Sequence, residues 1–599
     1  MKRHVAAGLA VFWVVISFTL CLPLRATVAH ATNLDTIAQV LLDISVADDS
    51  LFGASAGISY SDGHSWTGSA GWRGPTKRRA LLPTDQFRLG SQTKTYTGTV
   101  ILQMIDQGAF SLNDTLQTLL PNVPVPNAVH ITVRNLLNMT AGIPDYLRAP
   151  SRINVHKTIL DEWNNLDSLN GPYGYAIYTP EQLVAQSNLL PSTPFGKMAY
   201  SNTNFAILGL IAERASCKLA AGCQSIAELI DKLIIQPLGL KATEFPTTDQ
   251  FSADAHSDGV FPYGDALIDF THVDPSVPWA AGAMISSPAD ELIWIRALAT
   301  NKGGLLSPQL FRQRITEMVP GSIGHIEASY GLAIYAVSGT DSGTTLLGHS
   351  GAISGYTSGL FYDPDTDIAY VTNLNTYPAA APTRFPFYGQ TATKSVMNFT
   401  AVFITIAMQR NITMASRQEG NCGNAALSKI SANTNATCSG DNFRTAPIVV
   451  DGGELTVEPS NKVNNVGGRK ALHPSVVPSL AFFGNDMAGI TVMDGGNLEV
   501  EAGAAIEIYG RDAMAIYLSD GATAHVAGQI TAYGKGSIAI KGTDGNQSLV
   551  IPAGTRIIGD IDLGAGNDRV RIDGSVSGVV RTTPQMSVEG SGNFVTTPH

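Results

Sequence analysis

Phe87-Arg88-Leu89-Gly90-Ser91-Gln92-Thr93-Lys94-Thr95-Tyr96 is the stretch on which the reading of this chain turns. It places a lysine three residues after a serine, and Ser-x-x-Lys occurs nowhere else in the 599 residues. With Ser91 at the start of a helix, Lys94 lies about one turn along on the same face, where its amine can take the serine's proton. That is the arrangement of an activated nucleophile. Val100, Ile101, Met104 and Ile105 follow at helical spacing before Gly108, so a buried helix over Thr97 to Gly108 is predicted, and it would hold Ser91 rigidly.

The length leaves room for two or three domains. Charged residues make up 15% of the chain and glycines number 59, a balance of turn-rich, secreted surfaces. The formal charge of -11 is spread along the chain, which gives no basic patch for nucleic acid. Lys2, Arg3 and His4 precede an uncharged run from Val5 to Leu24 and then Ala29-His30-Ala31, which reads as a signal peptide over 1–31. An uncleaved membrane anchor is the competing reading, because the run is longer than a usual signal core. Cys21 lacks the small preceding residue of a lipoprotein site. The other four cysteines form two close pairs, Cys217 with Cys223 and Cys422 with Cys438, and predict two local disulfides of an oxidising compartment. Neither pair has the spacing of zinc ligands, so no metal and no cofactor is expected.

Along the chain, a helix from Thr32 to about Asp48 precedes strands around Gly57 to Tyr60 and Trp66 to Trp72. Ile131-Thr132-Val133-Arg134-Asn135-Leu136-Leu137-Asn138-Met139-Thr140-Ala141-Gly142-Ile143 is a short helix ending in a glycine turn. This block resembles one found in the serine β-lactamase and penicillin-binding-protein superfamily, in its class C and D-alanyl-D-alanine carboxypeptidase branch; Met139 and Ala141 stand where His and Ser are commoner. Tyr200-Ser201-Asn202 resembles the second motif of that branch, and His349-Ser350-Gly351 its third, on the strand that edges the active site. Pro237-Leu238-Gly239-Leu240 and the segment Trp279 to Asp290 resemble structural landmarks of the same proteins.

The resemblance covers roughly Asp35 to Gln409 and implies an α+β hydrolase domain over 32–410, an antiparallel sheet flanked by helices with an all-helical subdomain. It makes Ser91 the nucleophile, Lys94 its base and Tyr200 the group that shares or relays the proton. The backbone amides of Ser91 and Ala352 would form the oxyanion hole, and Asn202, His349, Ser350 and Gly351 would bind substrate. An ordinary lysine is protonated at neutral pH, so burial or a neighbouring cation must lower its pKa. His349 stands where many β-lactamases carry lysine and would be charged about as often as neutral near pH 6.5. That departure suits a carboxypeptidase, a D-residue aminopeptidase or an esterase better than a specialised β-lactamase.

Beyond Gln409 the composition shifts to Ser, Asn, Ala and Gly, read as a disulfide-pinned connector over 411–445. Val449-Val450-Asp451-Gly452-Gly453-Glu454-Leu455-Thr456-Val457-Glu458 then recurs as Val492-Met493-Asp494-Gly495-Gly496-Asn497-Leu498-Glu499-Val500-Glu501, with a looser echo from Leu518 to Val526. Short alternating strands separated by Asp-Gly turns predict an all-β solenoid, a parallel β-helix, over 446–599. This region resembles the passenger stem of a Gram-negative autotransporter. Leu563 to Val570 resembles a single calcium-binding repeat, read as a structural turn. The expected function is an exported serine hydrolase of a Gram-negative bacterium, acting through an acyl-enzyme on a small peptide, β-lactam or ester, with an outer-membrane translocator as a possible partner. The alternatives are an esterase of the same family and a surface adhesin whose hydrolase-like domain only binds. Oligomeric state is not legible.

Overall fold

The computed structural model describes residues 22–47, 51–76, 79–152, 155–164, 177–219, 222–263, 266–323, 326–337, 345–377, 429–439, 442–444, 446–459 and 480–598, with Thr405, Met408, Ile412 and Cys422. Most of the expected signal core, Val5 to Cys21, lies outside them. A helix runs without a break from Leu22 to Ala47, through the expected cleavage point at Ala31. Among the described residues no helix is long and apolar enough to cross a membrane.

The chain divides into two compact units. In the first, eight antiparallel strands form one sheet: β1 (Gly53–Ser59), β2 (Ser65–Gly71), β3 (Val319–Ile323), β4 (Ile326–Tyr330), β5 (Tyr335–Val337), β6 (Leu346–Ile353), β7 (Tyr356–Asp363) and β8 (Ile368–Leu374). Their order is β2-β1-β8-β7-β6-β5-β4-β3. The amino-terminal hairpin is therefore inserted beside the last strand, with Ala56 opposite Thr372. β7 and β8 are buried along their whole length, as sheets covered on both faces are.

The helix after Ser91, α1 (Thr93–Asp106), begins earlier than its apolar spacing suggested, because a tight turn at Gly90–Gln92 feeds straight into it. Every residue from Thr93 to Met104 is buried. Such a helix sits inside the core, and its polar side chains must find partners there. The threonines do: Thr97 donates to the Ala280 carbonyl at 2.8 Å, and Thr95 accepts from the Trp294 indole at 2.9 Å, whereas the Tyr96 hydroxyl and Gln103 Oε1 are buried without a partner among the described residues. Around α1 pack α2 (Asn202–Leu219), α3 (Trp279–Gly282) and α4 (Pro288–Thr300). Trp294 of α4 stacks on Tyr96 with ring centroids 4.2 Å apart, a contact worth about 0.5–1.5 kcal/mol beyond its buried area. Cys217, in the last turn of α2, is joined to Cys223 just beyond it.

The second unit is a β-solenoid of parallel strands in three ladders. The repeats seen in the sequence stack in register: Leu455 pairs with Leu498, Leu498 with Ala524, Ala524 with Leu549 and Leu549 with Val570. Each coil buries this apolar rung against the next. Between strands, Asp494 and Gly495 both take positive φ, 53° and 76°, the conformation that Asp-Gly tolerates and β-branched residues do not. Strands Lys429–Ser431, Asn435–Cys438 and Asn442–Arg444 already pair in these ladders, so the first coil falls within the stretch read as connector. Its polar composition hides the alternation. Cys422 is joined to Cys438 in this coil. In the turn resembling a calcium repeat, Asp568 is buried and accepts from the Gln547 backbone N–H at 2.8 Å, tying one coil to the next.

Candidate active site

Ser91 sits on the turn between the two-residue strand Phe87–Arg88 and α1. Gly90 makes that turn with φ +56°, and a Cβ there would lie 2.8 Å from the backbone N and O of Ala352 on β6. Gly351 is tighter still, since a Cβ would stand 1.8 Å from the Leu89 carbonyl oxygen. The two glycines let β6 press directly on the turn that carries Ser91. This contact sets Gly90, the residue before Ser91, against the backbone of Ala352; Ala352 is exposed and Ser91 partly so.

Lys94 is fully buried. Its Nζ donates to Ser91 Oγ at 2.9 Å, to Asn202 Oδ1 at 2.7 Å and to the Ala281 carbonyl at 2.7 Å. Burial disfavours its charged form and brings its pKa down from 10.5 to about 7, against an opposing pull from the Asp145 carboxylate. The ring of Tyr200 lies 5.0 Å from the ammonium. Burial pushes the Tyr200 phenol well above its ordinary range, with its bond to Ser91 acting the other way. Tyr200 is thus held protonated, as a proton donor.

His349 differs from its expected behaviour. Burial, then the charge of Lys94, lowers its pKa from 6.5 to about 3, so it is neutral throughout the working range. Its Nδ1 lies 2.6 Å from the Ser350 carbonyl and its Nε2 2.8 Å from the Tyr330 hydroxyl. A carbonyl can only accept, so Nδ1 carries the proton and Nε2 accepts from Tyr330. Ser350 is gripped by Tyr335, whose hydroxyl donates to its Oγ at 2.7 Å and accepts from its backbone N–H at 2.9 Å.

Ser91, Lys94, Tyr200 and Asn202 are brought into mutual contact, and His349, Ser350, Gly351 and Ala352 line the adjoining strand. Asn202 faces inward rather than outward: its Nδ2 donates to Asp145 Oδ2 at 2.9 Å while its oxygen faces Lys94. Four participants escaped the sequence reading, namely Asp145, the Ala281 carbonyl, Tyr330 and Tyr335. Asp145 follows the Gly142-Ile143-Pro144 turn, and Ala281 lies in the segment taken as a landmark, so position offered a signal although residue type did not.

A serine–lysine pair with a tyrosine at its side, at the edge of an antiparallel sheet and against a helical core, defines the serine hydrolases of the penicillin-binding-protein and β-lactamase type. The chain belongs to the beta-lactamase family, whose model matches residues 35–392. Penicillin-binding protein 4* of Bacillus subtilis is 29% identical over 181 residues, 29% of this chain and 34% of that protein. Protein flp of Staphylococcus aureus is 28% identical over 182 residues, 30% of this chain and 32% of that protein. The chain spans about a third of the length of the curated relatives it matches. Among solved structures, D-amino acid amidase from Ochrobactrum anthropi SV3 shares the fold with a TM-score of 0.53 at 20% identity, over 64% of this chain and 99% of that one.

Proposed function

We propose that the protein is an exported serine hydrolase that forms an acyl-enzyme on Ser91 and hydrolyses short D-Ala-type peptides or amides, β-lactams or esters. The observation that carries this reading is the buried Lys94, 2.9 Å from Ser91 Oγ and poised near neutrality. Unprotonated, Lys94 accepts the Ser91 proton as Oγ bonds to the substrate carbonyl carbon. The backbone N–H groups of Ser91 and Ala352 receive the oxyanion, a role whose loss lowers turnover by roughly 10²–10³. Tyr200, kept protonated, gives its proton to the leaving nitrogen or oxygen as that bond breaks, and regains one from Lys94. Water then attacks the acyl carbonyl through the same groups in reverse.

The neutral His349 favours amides, esters and peptides over substrates recognised mainly through a carboxylate. Two disulfides support export, and the solenoid supports a surface-displayed stem of autotransporter type. The test is covalent labelling with a fluorescent penicillin and a fluorophosphonate, beside hydrolysis of p-nitrophenyl acetate, D-alanine p-nitroanilide and a chromogenic cephalosporin. Wild type is expected to label and turn over at least one substrate, and Ser91→Ala to do neither. A wild-type protein inert to every probe, or a Ser91→Ala variant equally active, sinks the reading.

A further inference from the structure

Asp145 lies on the turn after the short helix Val133–Leu137 and is partly buried beside the candidate site. One carboxylate oxygen accepts from the Leu147 backbone N–H at 3.1 Å, which caps the turn Tyr146–Arg148. The other accepts from Asn202 Nδ2 at 2.9 Å. A carboxylate can only accept, so the Asn202 amide must present nitrogen to Asp145 and oxygen to Lys94. Lys94 donates to Asn202 Oδ1 and to the Ala281 carbonyl whether charged or neutral, since even the neutral amine keeps two N–H groups for them and turns its lone pair to Ser91. The order Asp145–Asn202–Lys94 is therefore satisfied in one orientation alone.

We propose that Asp145 is a positioning residue for the Ser91–Lys94 pair: its carboxylate orients Asn202 so that the amide oxygen holds Lys94 against Ser91, and its charge acts on Lys94 across that amide. This rests on the acyl-transfer reading of Ser91. The groups facing Lys94 are Ser91, Tyr200, Asn202 and His349, and those facing Asp145 are Asn202, Tyr146 and Tyr200. Burial keeps both tyrosines protonated and His349 neutral. Burial raises the Asp145 pKa as well, opposed by the Leu147 N–H, by Lys94 and by Asn202, and in its ionised form Asp145 is the charge that opposes the desolvation of Lys94. Without it the lysine would lose its proton more readily and would lack a fixed partner on that side.

The plain structural alternative is that Asp145 only caps its turn. Asparagine and serine cap nearly as well as aspartate, so Asp145→Asn and Asp145→Ser keep that role and remove the charge. Both variants and wild type are to be assayed for kcat/KM on p-nitrophenyl acetate from pH 5 to 9, with thermal melts. In wild type the acidic limb is expected near pH 7. In both variants it is expected to move to lower pH by about one unit, because removing a nearby opposite charge favours the neutral amine, while the plateau falls. Asp145→Glu keeps the charge and is expected to keep the limb within a few tenths of the wild-type position. A limb that stays in place in both neutral variants overturns the assignment and leaves the acyl-transfer reading standing. A wild-type protein that turns over none of p-nitrophenyl acetate, D-alanine p-nitroanilide and the chromogenic cephalosporin instead removes the acyl-transfer reading itself; where only the anilide or the cephalosporin is turned over, the same limbs are read on that substrate.

Discussion

Gly351→Ala tests the contact on which the site depends. Gly351 does not need unusual backbone angles; it needs space. An added Cβ would stand 1.8 Å from the Leu89 carbonyl oxygen and 2.5 Å from Ser358 Oγ. Ordinary contact requires about 3.5 Å, so β6 and the turn that carries Ser91 must separate by more than about 1 Å. Leu89 lies two residues before Ser91, and Gly351 immediately precedes Ala352, so the displacement falls directly between the two amides assigned to the oxyanion. The Ser358 hydroxyl also donates to Leu89 O at 2.8 Å across this gap, and its loss adds about 1 kcal/mol to an overpacking cost of about 1–3 kcal/mol. A misplacement of this size at reacting groups lowers turnover about 10²-fold. The assay is kcat on p-nitrophenyl acetate with the acylation burst, beside a thermal melt. Gly57→Ala is the control, because its Cβ would meet the Leu292 side-chain end at 2.9 Å, which can move. That variant is expected to melt earlier with kcat within about twofold of wild type, a flexible side chain absorbing the strain away from Ser91. A folded Gly351→Ala protein with wild-type kcat and burst would refute the reasoning.

As the proposed base, Lys94 would work only unprotonated, so kcat/KM is expected to fall about tenfold per pH unit below about 7; a rate independent of pH down to 5 contradicts the proposal of Lys94 as base. Glu291 offers a stability test, since it is fully buried and burial raises its pKa from 4.5 to about 8. Below about pH 4.5 both folded and unfolded states carry the proton; between about 4.5 and 8 the unfolded state ionises first, so this group's contribution to stability is lost as pH rises through that window. Glu291→Gln is therefore expected to gain melting temperature relative to wild type from pH 4.5 to 8, and a pH-invariant difference rejects the shift.

Much of the fold was legible because its signals are local. The Asp-Gly turns and apolar rungs of the solenoid repeat within a few residues of one another, and they stack as Leu455 on Leu498 on Ala524. The first coil was not legible, because Asn435 to Cys438 carries too few apolar residues to betray its alternation before it is stacked on Glu454 to Val457. The start of α1 lies ahead of its apolar run because Thr93 to Tyr96 is polar by composition yet buried, with Lys94 held by Asn202 of α2 and the Ala281 carbonyl of α3, and Thr95 by the Trp294 indole of α4.

By itself the sequence determined the family, since Ser91 with Lys94, Tyr200-Ser201-Asn202 and His349-Ser350-Gly351 stand in the order that the resemblance requires, and the family model matches residues 35–392. Tertiary structure decided their charge states. Lys94 meets Asn202 from 108 residues away and the Ala281 carbonyl from 187, while His349 is buried against Tyr330. Desolvation and the field of a neighbour are properties of the surroundings, not of the residue. Hence Lys94 came near neutrality, His349 became neutral and Asn202 turned inward to Asp145 only once distant segments had packed together.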